Sequence, residues 1–192
     1  MRFGPPARIV AASLVLALAL GGVVAREGLA LAHGQEVSLA INMYDPRSLL
    51  SGHYLQFQLR DFPPAGSGCP PGTVSSDGPP PDWVALSPAG GRHRVTGAAA
   101  TREQAAKLGE IVVRGQAFCS APREDRRPAV TLEIGVDRIH ASQAEAEAIA
   151  ERMGDDDPDH PSAVAIVSIG RDGKARLKGL IAGDRRIDLN WF

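Results

Sequence analysis

The sequence predicts a mainly β (α+β) protein, an antiparallel β barrel or sandwich with one packed helix, preceded by one N-terminal transmembrane helix. Three observations carry this. An uncharged apolar run from Ile9 to Ala25 follows Arg2 and Arg8 and stops at Arg26-Glu27. Beyond it, short segments of alternating apolar and polar residues recur between Gly, Pro and Asp breaks. A single later segment, Ser142 to Met153, has the signals of a helix.

The apolar run behind a positive start reads as a secretory signal or a membrane anchor. As a helix at about 1.5 Å per residue it is about 25 Å long, a little short of a hydrocarbon core of about 30 Å. Local thinning and snorkelling of Arg8 and Arg26 accommodate that difference. Val23-Val24-Ala25 and Ala30-Leu31-Ala32 are small-residue stretches suited to cleavage, so both readings stand on the run alone. Either way, the positive end stays inside and the remainder is exported. The organisation is a cytoplasmic tail (1–8), a transmembrane anchor or signal peptide (9–25), a linker (26–34) and an exported β-rich domain (35–192). About 160 residues suffice for one domain with a real core.

The strands follow in order. Glu36 to Met43 puts Val37, Leu39 and Ile41 on one face, and Tyr54 to Leu59 alternates in the same way. Phe62 to Pro81 holds too many breakers for regular structure. Asp82 to Leu86 and His93 to Gly97 flank Pro88-Ala89-Gly90-Gly91 as a hairpin. Leu108 to Phe118 reads as one apolar segment, and Val130, Leu132 and Ile134 alternate with Thr131 and Glu133. Ala163 to Ile169 and Lys174 to Leu180 bracket Gly170-Arg171-Asp172-Gly173, whose Asp-Gly pair signals a turn. Arg186 to Trp191 adds a last strand. In the helix, Ser142-Gln143-Ala144-Glu145 has capping-box spacing, Ala146, Ile149, Ala150 and Met153 form its apolar stripe, and Gly154 closes it.

Two cysteines, Cys69 and Cys119, lie in the exported part. In an oxidising compartment they are a disulfide candidate, the alternative being two separate thiols. The bond closes a loop of about 50 residues, a constraint of roughly 3–4 kcal/mol on the unfolded chain. There is no C-x-x-C redox pair.

Composition excludes some functions. Net charge is −1 with acids and bases interspersed, which argues against a nucleic-acid partner. His33, His53, His93, His140 and His160 have no metal-ligand spacing, and no cofactor or metal is implied. Asp155-Asp156-Asp157-Pro158-Asp159-His160 resembles the start of a calcium loop but has His160 and Ile166 where Gly and Glu are needed. It reads as a solvated acidic loop. Arg92-His93-Arg94 reads as a strand start with solvent-facing arginines, and Gly66-Ser67-Gly68 lacks a nucleophile elbow. Asp45, Arg47 and His53 are the one polar cluster that invites a site. Its structural alternative is an Asp45–Arg47 ion pair, a bend fixed by Pro46 and a turn at Gly52.

Gly34-Gln35-Glu36-Val37-Ser38-Leu39, the Asp45-Pro46-Arg47 segment and Gly52-His53-Tyr54-Leu55-Gln56-Phe57-Gln58-Leu59 resemble the GDYXXLXY family of bacterial membrane-anchored proteins. Gly52 and Tyr54 fit the signature. His53 stands where the family has Asp, Phe57 replaces Leu and Leu59 replaces the final Tyr. Gly170 to Leu180 resembles the family's closing hairpin. The resemblance implies a retained N-terminal anchor and brings no assigned activity. The same Pro and Gly are faintly similar to signal-peptidase-like serine proteases. Those enzymes need a Ser shortly before the Pro and a Lys base, and Ile41-Asn42-Met43-Tyr44 supply no Ser.

The resulting expectation is a single-pass protein of the cytoplasmic membrane with a periplasmic C-terminal domain. It is a non-enzymatic interaction domain that contacts another membrane or envelope protein. The alternative is a small-molecule binder or hydrolase using Asp45, Arg47 and His53.

Overall fold

The structure, a computed structural model, describes residues 5–43, 54–74, 80–120, 127–140 and 161–189. It is strand-rich, as its alternating segments require, with one long apolar helix at the N-terminal end. That helix, α1 (Pro5–His33), is unbroken. Residues 26–33, read as a linker, continue it through Glu27, Leu29, Ala30, Leu31 and Ala32, all good helix formers. Within it, Ile9–His33 is long and apolar enough to cross a membrane. The domain buries none of its most apolar stretch.

The larger sheet has the order β11-β10-β9-β1-β2-β7-β6. Its strands are β1 (Gln35–Met43), β2 (Tyr54–Asp61), β6 (Gln116–Ser120), β7 (Ala129–Glu133), β9 (Ala163–Ile169), β10 (Ala175–Ala182) and β11 (Arg185–Asp188). A short β8 (Arg138–His140) also pairs with β2. The smaller sheet has the order β4-β3-β5, from β3 (Trp83–Ala89), β4 (Arg92–Ala99) and β5 (Ile111–Arg114). Every pairing is antiparallel.

Val37, Leu39, Ile41 and Leu59 of the larger sheet share one apolar core with Val84, Leu86, Val95 and Val113 of the smaller. Among the described residues neither sheet closes on itself, so the barrel alternative gives way to two open sheets over a common core. Closure would require β6 to pair with β11, and the two stand at opposite edges.

Two polar tethers also join the sheets. The buried Asp61 carboxylate of β2 accepts the Val95 N–H of β4 at 2.9 Å. Burial pushes that carboxyl above its ordinary range, against the pull of Arg94 and Arg92. His93 Nδ1 accepts the Ser38 N–H of β1 at 3.2 Å, and burial lowers its pKa, which favours the neutral acceptor. Arg92 is buried rather than solvent-facing, and its charge acts on the buried Asp61 of β2.

The hairpins form where the turn chemistry predicts. Gly90 and Gly91 both take positive φ, 60° and 79°, the backbone of a two-residue hairpin that glycine adopts without strain. The segment from Leu108 to Phe118 is not one element. It divides at Gly115 into β5 and β6, which belong to different sheets. A four-residue helix, α2 (Arg102–Ala105), is capped by Thr101, whose hydroxyl accepts the Gln104 N–H. The helix read over 142–153 lies outside the described residues.

Candidate functional site

The turn between β9 and β10 is where α1, the larger sheet and the smaller sheet meet. Gly173, at φ 78°, donates its N–H to Gly170 O at 2.9 Å, and Gly170 N–H reaches Lys174 O at 3.1 Å. Asp172 locks the loop by accepting the Lys174 N–H at 3.1 Å.

Toward the helix, Arg176 of β10 bridges two carboxylates. Its Nη1 and Nη2 donate to the two oxygens of Asp172 at 3.3 and 3.0 Å. Its Nε donates to Glu27 of α1 at 2.7 Å. The fork of a guanidinium suits this double duty, which a lysine point charge could not match. The Arg176 side chain is only 12% exposed, so this pairing is better shielded than an ordinary surface ion pair. Ser168 of β9 adds a hydrogen bond from Oγ to Ala30 O at 3.2 Å. Gly34 follows α1 because a side chain there would collide with Ser168 Oγ and lie 2.9 Å from Ile169 O.

Toward the smaller sheet, Arg114 N–H donates to Gly173 O at 2.8 Å. A Cβ on Gly173 would stand 2.5 Å from the Trp83 ring. Arg102 donates from Nη1 to Arg171 O at 3.0 Å and lies over the Trp83 ring at 5.8 Å. One four-residue turn thus fixes the direction in which α1 leaves the domain.

The Arg176 guanidinium holds the Asp172 carboxyl at about 2, against an ordinary 3.8. A depressed folded pKa means stability that is present above pH 3.8 and lost as pH falls toward 2. Thermal unfolding midpoints measured across that window are expected to fall more steeply for the native chain than for Arg176→Leu. Parallel curves would contradict the bridge.

A second feature borders the signature strand. An open cleft of about 720 Å³ is lined by Gln56 and Gln58 of β2, Gln116 of β6, Thr131 and Glu133 of β7, and Asp137 among others. It forms where β2 changes partner. Tyr54–Gln56 pair with β8 and Leu59–Asp61 pair with β7, while the chain between those two strands turns aside. Its rim carries amides and both signs of charge, the latter from Arg114, Glu133 and Asp137. Among the described residues no group of three His, Cys, Asp or Glu side chains comes together to hold a metal ion.

Of the residues singled out by sequence, Asp45, Pro46, Arg47, Gly52 and His53 lie outside the described residues, as does the acidic loop at 155–160. Tyr54 opens β2 opposite His140. Cys69 and Cys119 are disulfide-bonded, with Cα atoms 5.9 Å apart, and join the breaker-rich segment to β6. Ser67 is held in a local turn by Pro64 O. The bridge of Glu27, Asp172 and Arg176 went unread. Its only sequence signals are Arg26-Glu27 at the end of the apolar run and an Asp-Gly turn far downstream, and nothing local links the two.

No curated protein and no solved structure matches the chain. The model of the family described as GDYXXLXY protein matches residues 16–180, from within the apolar helix to the closing hairpin. With most of its length covered, the chain belongs to the GDYXXLXY family.

Proposed function

We propose that this is a single-pass membrane protein whose β-rich domain stands outside the cytoplasm and binds another membrane or envelope protein. The observation that carries this reading is the apolar helix itself. Leu14, Val15, Leu18 and Val23 are each about 60% exposed or more, a surface that water does not tolerate and lipid does. Arg8 and Arg26 bracket the run, and the positive-inside tendency of such a start supports an outward-facing domain. The Cys69–Cys119 bond supports the same side, since disulfides persist in oxidising compartments. Held at a fixed angle by the β9–β10 turn, the domain offers the cleft beside Gln56 and Gln58 as its contact surface.

A photocrosslinking residue placed at Gln58, in intact membranes, is expected to give one reproducible adduct with a second membrane or envelope protein. The same probe at Arg185, on the far edge strand, should give none. Recovery of only monomer from Gln58 contradicts the proposed contact.

A further inference from the structure

We infer that the groove between α1 and the β9–β10 turn binds the phosphate of an anionic glycerophospholipid headgroup in the outer leaflet. The inference rests on the reading of α1 as a membrane span and adds a ligand to it. The groove, about 600 Å³, is lined by Arg26, Leu29, Ala30, His33, Arg171 and Asp172 among others. Its depth is set by the helix. With the bilayer core ending near Ala25, residues 26–33 cover about 12 Å of axis beyond it, the zone occupied by headgroups.

Its charge is also set. Arg26 and Arg171 line the groove beside Asp172, and Arg176 already pairs with both nearby carboxylates, Glu27 and Asp172. Arg26 approaches Asp172 only to 4.0 Å, with a side chain 73% exposed. The Arg171 side chain makes no ion pair with another described residue. Two guanidiniums are therefore available for a phosphate, whose geometry they match bidentately.

The C-terminal end of α1 opposes an anion through its carbonyls. Two of these are already covered, Ala30 O by Ser168 Oγ and Leu29 O by His33 Nδ1. Leu29, near the outer end of the Ile9–His33 stretch, is 60% exposed and offers apolar surface to the glycerol and upper acyl chain.

The test uses the full-length chain in nanodiscs of mixed phosphatidylcholine and phosphatidylglycerol. Lipids retained after transfer to mild detergent are counted by mass spectrometry. Native protein is expected to enrich phosphatidylglycerol, and Arg26→Gln with Arg171→Gln to lose about fivefold of that enrichment per arginine. Lys107→Gln with Arg185→Gln removes the same charge elsewhere and should leave the enrichment intact. Equal loss in both double variants would assign the effect to diffuse charge and overturn the site. Inorganic phosphate that displaces the lipid at equal concentration would assign the groove to a free anion and overturn the lipid. Insertion without enrichment overturns the groove alone, whereas failure to insert into any disc overturns the anchor, and the groove with it.

Discussion

Replacing Cys69 and Cys119 together by alanine is expected to lower unfolding stability by about 3–4 kcal/mol. The bond closes a loop spanning 50 positions, and cutting it returns that loop's entropy to the unfolded chain. The effect is concentrated at one edge of the larger sheet. Residues 70–74 run beside β6, where Cys119 N–H donates to Val74 O at 2.9 Å and Val74 bridges Phe118. Pro71 O in turn receives the Ala98 N–H of β4. Without the bond, the described part of this segment is held to β6 and β4 by these hydrogen bonds and by the Val74 N–H to Ala117 O at 3.4 Å. Chemical denaturation of native chain, reduced chain and variant checks this. Reduced native chain should coincide with the variant, and an unchanged midpoint in the variant would contradict the account.

Gly115→Val is expected to cost more than about 3 kcal/mol, a large share of the roughly 5–15 kcal/mol that holds a domain folded. Gly115 is the joint at which the chain passes from the smaller sheet into the larger. Its N–H donates to Asp82 O at 2.9 Å, and a Cβ there would stand 2.5 Å from Glu133 O and 2.7 Å from Ile134 Cγ2. Neither neighbour can withdraw, since Glu133 lies in the β6–β7 ladder opposite Gln116 and Ile134 is part of the core. Gly90→Ala is the control for positive-φ backbone strain. Gly90 also has a positive φ, but nothing lies within 4 Å of the added atom, so its cost is that of the backbone alone, about 1–2 kcal/mol. Equal losses in the two variants would show that conformation, not crowding, decides at Gly115.

These two positions also show what a linear reading can and cannot reach. The alternation of Val37, Leu39 and Ile41 is a local property, and so are Gly90-Gly91 and Asp172-Gly173, so those strands and hairpins were legible. The division of the 108–118 segment was not, because it depends on Gly115 meeting Glu133 across the fold. Three residues of β8 and four of α2 are too few to display any period. The barrel alternative stayed open because strand patterns do not record which edges meet. The bridge from Arg176 to Glu27 joins groups 149 positions apart, and each alone resembles an ordinary surface charge. The signature stretch was legible as a family label, while its centre, Gly52 and His53, lies outside the described residues.

The central proposal is that α1 anchors an externally facing domain. The most direct measurement combines alkaline extraction with external proteolysis, in spheroplasts of a bacterial host expressing the chain with a C-terminal epitope tag. The account predicts that the tagged chain stays with the membrane at alkaline pH, and that protease added outside removes the tag while cytoplasmic markers survive. A chain released by alkali, or a tag protected until the membrane is opened, would contradict it.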